Sequence, residues 1–368
     1  MPLSAVDAIS PAFEHTKSQL LQPFRFGQWI RLAFVGLLAG ELTSGGGCNA
    51  PTNFHIPRHP GTDHFLVPGL GTDPLLYAGL IAVAVFAAFV LGIVLMYISS
   101  VMRFVLFDSV LAKECRIRQY WAARQQPGWR YFLWKLLYTL LTFGVLVALV
   151  GIPAGLAFVL GWFKQPRQHL IGLVLGGIVL FFAFAIVVVA MAMIYVLTKD
   201  FVVPQMALEE IGAIEGWQRL WVMMNAEKGS YAGYVGMKIV LAIGAAIVLG
   251  IVGFILALIV LIPVAGVVIA AVIAAKSAGL GWTVYTITLA LVTGSVLLVV
   301  FLFMSSMISV PAIVFFPAYS IYFFAARYPA LSARLCPVPP AVAARLIPPE
   351  APPPNEPPPL PPAPEPIG

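Results

Sequence analysis

The chain has 368 residues, of which 61% are hydrophobic and only 10% charged, with a mean hydropathy of +0.96. That balance lies far outside the range of soluble globular chains and identifies an integral membrane protein. The formal charge of +6 then reads as membrane orientation and headgroup contact, not as a nucleic-acid footprint, and no nucleic-acid partner is expected.

Residues 1–28 form a polar, amphipathic segment too long for an ordinary signal-peptide n-region, so no cleavable signal is expected. Trp29–Leu42 is a short apolar stretch, counted as a span because Phe24 and Phe26 extend it and because an odd number of spans would conflict with the loop charges. The loop 43–74 follows. Five further stretches, Leu75–Met102, Leu136–Phe163, Leu170–Thr198, Lys238–Ile262 and Trp282–Met304, approach or exceed the roughly 20 apolar residues that a spanning helix needs. About six transmembrane helices are therefore predicted, in an all-α membrane domain over 29–326. Two polar helices, 106–126 and 204–224, connect its spans.

Basic residues fall on alternate sides of these spans. Lys17, Arg31, Arg103, Arg116, Arg118, Lys135, Lys199, Arg219, Lys228, Lys238 and Arg327 gather on one side, against Arg58, Lys164, Arg167 and Lys276 on the other. The positive-inside rule then places both termini in the cytoplasm and loop 43–74 outside, in an inner or plasma membrane. Pro153 and Pro263 interrupt apolar runs, and residues 264–275 read either as a kinked continuation or as a re-entrant hairpin. After Arg327 the composition turns proline-rich. The tail 327–368 is expected to be disordered, and "PPPLPPAP" within it resembles a ligand for proline-binding modules, which makes the tail a candidate contact for protein partners, with a solvated spacer the simpler reading.

Few residue patterns carry chemistry. Cys48 falls outside while Cys115 and Cys336 fall inside, and no CxxC or zinc-like spacing exists. His55, His59, His64 and Asp63 in the outer loop are types that bind metal, but prolines and glycines break any helix that would align them. A flexible loop is the simpler reading, and neither a metal site nor a cofactor is predicted. No ionisable residue sits in the middle of the five clear spans, which lowers the prospect of proton- or ion-coupled transport. Thr139, Thr142 and Ser295 are expected to return hydrogen bonds to their own helices.

An internal repeat is legible. "RFVLFDSVLAKECRIRQYW" from Arg103 resembles "DFVVPQMALEEIGAIEGWQ" from Asp200, and each leads through a glycine, Gly128 or Gly229, to a lysine, Lys135 or Lys238. The unit is a hairpin of two spans joined by a polar helix. In the second copy Leu208, Ile211, Ile214, Trp217, Trp221 and Met224 recur at helical steps, so Leu208–Met224 is predicted to lie in the membrane interface with Trp217 and Trp221 toward the bilayer. Lys199, Arg219 and Lys228 would attract anionic lipid. Arg116, Arg118 and Trp121 occupy the corresponding place in the first copy, and these residues together are the candidate lipid contacts. Glu209, Glu210 and Glu215 read as solvated helix charges rather than as an acid–base cluster.

The "F-V-x-P" exit from a span, the acidic amphipathic helix and "E-G-W-Q-R-L-W" resemble the repeating unit of a prokaryotic group of membrane proteins. That group includes the membrane domain beside glycerophosphoryl diester phosphodiesterases and inner-membrane proteins of the YciC type. The resemblance covers roughly Tyr97–Ala326 and implies a fold more than an activity. It departs from the phosphodiesterase case in that only the proline-rich tail follows Arg327, with no soluble catalytic domain. The expected function is thus a non-enzymatic membrane scaffold with lipid partners. Its competitors are a passive transporter or channel for a small neutral or amphipathic solute, marked by a wet cavity, and a lipid-acting enzyme, marked by converging polar groups. Nothing in the sequence specifies an oligomeric state.

Overall fold

A computed structural model describes residues 4–41, 74–162, 167–277 and 284–335, and among these residues every regular element is helical. The outer loop 43–73, with Cys48 and its histidines, and the proline-rich tail from 336 onward lie outside the described residues. Helices α1 (Ile9–Leu21) and α2 (Phe26–Ala39) precede the loop. Next come α3 (Pro74–Leu111), α4 (Ile117–Ala123), α5 (Gln125–Val159) and α6 (Leu170–Leu197). A π-helical turn, Thr198–Val202, joins α6 to α7 (Val203–Glu209). The chain continues through α8 (Ala213–Ala226), α9 (Lys228–Ser277), α10 (Val284–Ala325) and α11 (Pro329–Leu335).

Five helices are long and apolar enough to cross a membrane, within Ala78–Leu111, Gln125–Val159, Leu170–Glu209, Lys228–Ala270 and Leu291–Ala325. The predicted sixth span is different. Helix α2 has 14 residues, so it is about 21 Å long at 1.5 Å per residue, short of the roughly 30 Å hydrocarbon core. It ends at Gly40, whose positive φ of 77° lets its N–H cap the carbonyls of Gly36 and Leu37. Its buried face, Leu32, Ala33, Val35 and Gly36, packs on α3 and α10. A Cβ on Gly36 would stand 2.6 Å from Ile313 Cδ1, so only glycine permits this approach to α10.

The folding core sits at one end of the long helices. It combines α1, α2, the last turns of α3, the π turn with α7, the first turns of α9, and the second half of α10. Aromatic side chains fill it: Phe104, Tyr131, Phe201, Tyr234, Tyr319, Phe323 and Phe324 are all but inaccessible. Away from this end Phe86, Leu140, Val179 and Val248 are more than half exposed, as expected of side chains that meet lipid rather than protein. Thr139, Thr142 and Ser295 donate to carbonyls one turn back in their own helices.

Two expectations need correction. Residues 106–126 are not one helix, because 106–111 complete α3 and Lys113, with φ of 56°, turns the chain before α4. Likewise 204–224 is broken at Glu210, whose left-handed φ of 56° ends α7 before α8 begins. Of the two readings of 264–275, the continuation is the one formed. Helix α9 runs unbroken through Pro263 to Ser277, since a proline in so long an apolar helix removes one hydrogen bond without forcing a reversal.

Candidate functional site

Charged residues that flank apolar runs converge inside the packed end. Glu41, one residue beyond the cap of α2, is only 4% exposed, yet ionic. Its Oε1 accepts from the Arg103 guanidinium of α3 and its Oε2 from the Lys199 ammonium of the π turn. Arg103 also donates through Nη2 to the carbonyl of Ala39 at 2.9 Å, which fixes the end of α2 against α3. Beside Lys199, Asp200 accepts from the Tyr234 hydroxyl at 3.0 Å and from the Lys238 ammonium, both on α9. Two carboxylates therefore meet three cations, and four elements are tied at one place. Desolvating such ions costs several kcal/mol each, which only close pairing offsets.

The space within this cluster is small. A partly open hollow of about 20 Å³ is bounded by Glu41, Arg103, Lys199, Asp200, Pro204 and Ser320. One water needs about 10–15 Å³ by the same measure, so the void holds a water rather than a solute. The sequence counts Arg103, Lys199 and Lys238 among the basic residues of the inside face and gives Lys199 as an attractor of anionic lipid. In the structure Arg103 and Lys199 are buried, Lys238 is mostly covered, and all three are ion-paired. Lys199 is consequently unavailable to attract lipid. The overlooked signal was opposite charge at span ends, in "AGE" ending at Glu41 and "TKD" ending at Asp200.

A second ionic layer lies nearer the surface. Arg124 grips Asp108 with two bonds of 2.6 and 3.0 Å and donates to the carbonyl of Ala207 at 2.6 Å, so α3, α7 and the start of α5 are linked. Both polar connecting segments thus lie at the same end of the molecule. Glu209 accepts from Arg219 and from the Tyr328 hydroxyl, which joins α7, α8 and the turn before α11. Arg327 donates to Glu227 at 2.8 Å and covers the Phe323 ring at 4.1 Å. In α1, His15 Nε2 donates to the carbonyl of Val110 at 2.8 Å, which leaves Nδ1 to accept from the Tyr322 hydroxyl at 3.1 Å. Burial holds the His15 imidazole below its usual pKa, outweighing that carbonyl bond, with Lys113 adding to the depression.

The candidate lipid contacts do not behave alike. Trp221 is 58% exposed on α8. Trp217 is not turned to the bilayer: it packs on the core and its indole donates to Thr198 Oγ1 at 2.9 Å. The reason is the break at Glu210, after which α8 buries Ala213, Gly216 and Leu220 with Trp217 between them. Arg219 is exposed but held by Glu209 and Glu215. Trp121 lies edge-on to Tyr97, 6.5 Å away. Arg116 pairs with Glu114 and shares a basic groove with Arg31 and Arg118. No group of three or more metal-ligating residues exists among the described residues.

Five long lipid-compatible helices anchored in one ion-paired core define a multi-pass α-helical membrane protein. Residues 3–334 match the model of a family described as a family of unknown function (DUF7544), and the chain belongs to that family. No curated protein and no solved structure matches the chain.

Proposed function

We propose that this protein is a non-enzymatic membrane scaffold. Its core forms a rigid platform at the cytoplasmic membrane surface, and α8 with the Arg31–Arg116–Arg118 groove contacts lipid headgroups. The observation that carries the reading is the consumption of polar groups. Both carboxylate oxygens of Glu41 are engaged, Asp200 bonds two donors, and the hollow between them has room for about one water. General acid–base chemistry and solute passage each need an accessible polar site, whereas a platform needs polar groups locked together. The pseudo-repeated hairpin would supply two similar halves.

A passive transporter is the second reading. It is favoured by a crevice of about 270 Å³ between α9 and α10, where Ser305 and Ser309 are the polar groups among glycines and apolar side chains. Proteoliposomes loaded with small neutral and amphipathic solutes separate the two. A scaffold leaves efflux equal to that of protein-free vesicles, and protein-dependent efflux abolished by Gly253→Phe would establish the transporter instead. Orientation is tested in the same preparation by impermeant thiol labelling. Cys115 is buried, so Cys48 and Cys336 are the thiols to be told apart. Cys48 is expected to label from outside.

A further inference from the structure

We infer that the crevice between α6 and α9 is a binding site for one anionic glycerophospholipid, with its phosphate at Lys228 and an acyl chain between the helices. This rests on the reading that α6 and α9 span the bilayer with α8 at its surface. Two hollows adjoin there. The upper, of about 500 Å³, is lined by Met193 and Leu197 of α6, Trp221 and Asn225 of α8, and Lys228 and Tyr231 of α9. The lower, of about 260 Å³, continues between Val189 and Val196 of α6 and Ile239 of α9, and shares Met193 and Val235 with the first. Each approaches or falls within the roughly 300–1,000 Å³ of small-molecule sites.

Chemistry along the crevice is graded. Apart from the ion-paired Lys238, its lower part is apolar and faces outward between two long apolar helices, where hydrocarbon would cover it. Its upper rim carries an ammonium, an amide and an indole, the set found at headgroup depth. Lys228 is exposed, and among the described residues its side chain forms no ion pair or hydrogen bond. The adjacent Glu227 is already taken by Arg327, so it does not neutralise this lysine. Tyr231, also lining the rim, has a buried hydroxyl without a partner among the described residues. An uncompensated cation over an apolar slot fits an anionic headgroup over an acyl chain. The other cation beside the slot, Lys238, is bound to Asp200, so the charge preference resides in Lys228.

Brominated acyl chains quench tryptophans that they touch, which makes Trp221 a built-in reporter. Full-length protein in phospholipid vesicles would be titrated with brominated phosphatidylglycerol or brominated phosphatidylcholine, the Trp221 signal being the difference between wild type and Trp221→Phe. Half-quenching should need about fivefold less phosphatidylglycerol than phosphatidylcholine, the preference expected of one basic residue near the surface. Lys228→Gln should bring that ratio to about one while thermal unfolding stays unchanged. Equal quenching by both lipids in the wild type, or a preference that survives Lys228→Gln, overturns the site and leaves the membrane-interface reading intact. Absence of quenching by either lipid overturns both.

Discussion

The two ends of the long helices are equally helical but obey different packing rules. At one end Phe201 touches the rings of Tyr231, Tyr234, Phe323 and Phe324, and ionic pairs close the remaining gaps. At the other, Leu140, Phe143 and Val179 point outward with more than 60% of their surfaces free. Hydrocarbon solvates leucine and valine as well as another helix does, so apolarity gives the spans no reason to associate. Cohesion must therefore come from what lipid cannot offer. Aromatic interdigitation supplies part of it, and ion pairs with no alternative partner in a dry setting supply the rest.

The largest effect that would break this contrast is loss of Glu41. Glu41→Gln leaves Arg103 and Lys199 without their carboxylate and should lower stability by about 3–5 kcal/mol, read as thermal unfolding in detergent micelles. The triple change Glu41→Gln, Arg103→Met, Lys199→Met should restore most of that loss. If the triple variant is no more stable than the single one, the cluster does not act through charge compensation.

Packing comes next. Gly36→Ala places a methyl into Ile313 and should cost about 1–3 kcal/mol, with partial rescue by Ile313→Ala. A change of comparable size in a span, Val179→Ala, should stay within about 0.5 kcal/mol. Equal losses at the two sites would erase the distinction between the ends.

The smallest effect sharpens the comparison through pH. Because burial lowers the His15 pKa in the folded state, the unfolded chain binds a proton more readily than the folded one just below pH 6.5, the ordinary value for a free imidazole. Stability should be full above that pH and decline as pH falls toward the depressed folded value. A melting series from pH 7.5 to 5 would reveal the decline. His15→Gln should flatten it, and an unchanged slope in that variant would assign the dependence to other groups.

How much of this was legible in the sequence divides along the same line. Five spans were readable because hydropathy acts residue by residue, and Leu170–Leu197 needs no partner to be recognised. Helix α2 is harder to read: a short apolar run buried in protein and a short span share one composition. The Glu41 cluster escaped because Glu41, Arg103, the Lys199–Asp200 pair and Lys238 lie far apart in the chain, and local charge counting sees each as a loop residue. The orientation of Trp217 was lost to Glu210. Helical spacing carried through a left-handed residue points to the wrong face, and a glutamate gives no warning of that conformation.

The π turn at Thr198–Val202 has a consequence for how this chain tolerates change. Its closing bond runs from the Val203 N–H to the Thr198 carbonyl, five residues back, so it holds one residue more than an α turn. Each residue of an α-helix advances the azimuth by about 100°. The turn therefore acts as a phase shifter between α6 and α7, setting the lipid-facing stripe and the core-facing stripe independently. It also lets the adjacent Lys199 and Asp200 serve opposite neighbours, α2 and α9. Substitutions along α6 are then free to follow the thickness and fluidity of the host membrane while Phe201 and Met206 keep their places. Deleting a single residue within 198–202 would couple the two stripes and rotate one of them out of its medium.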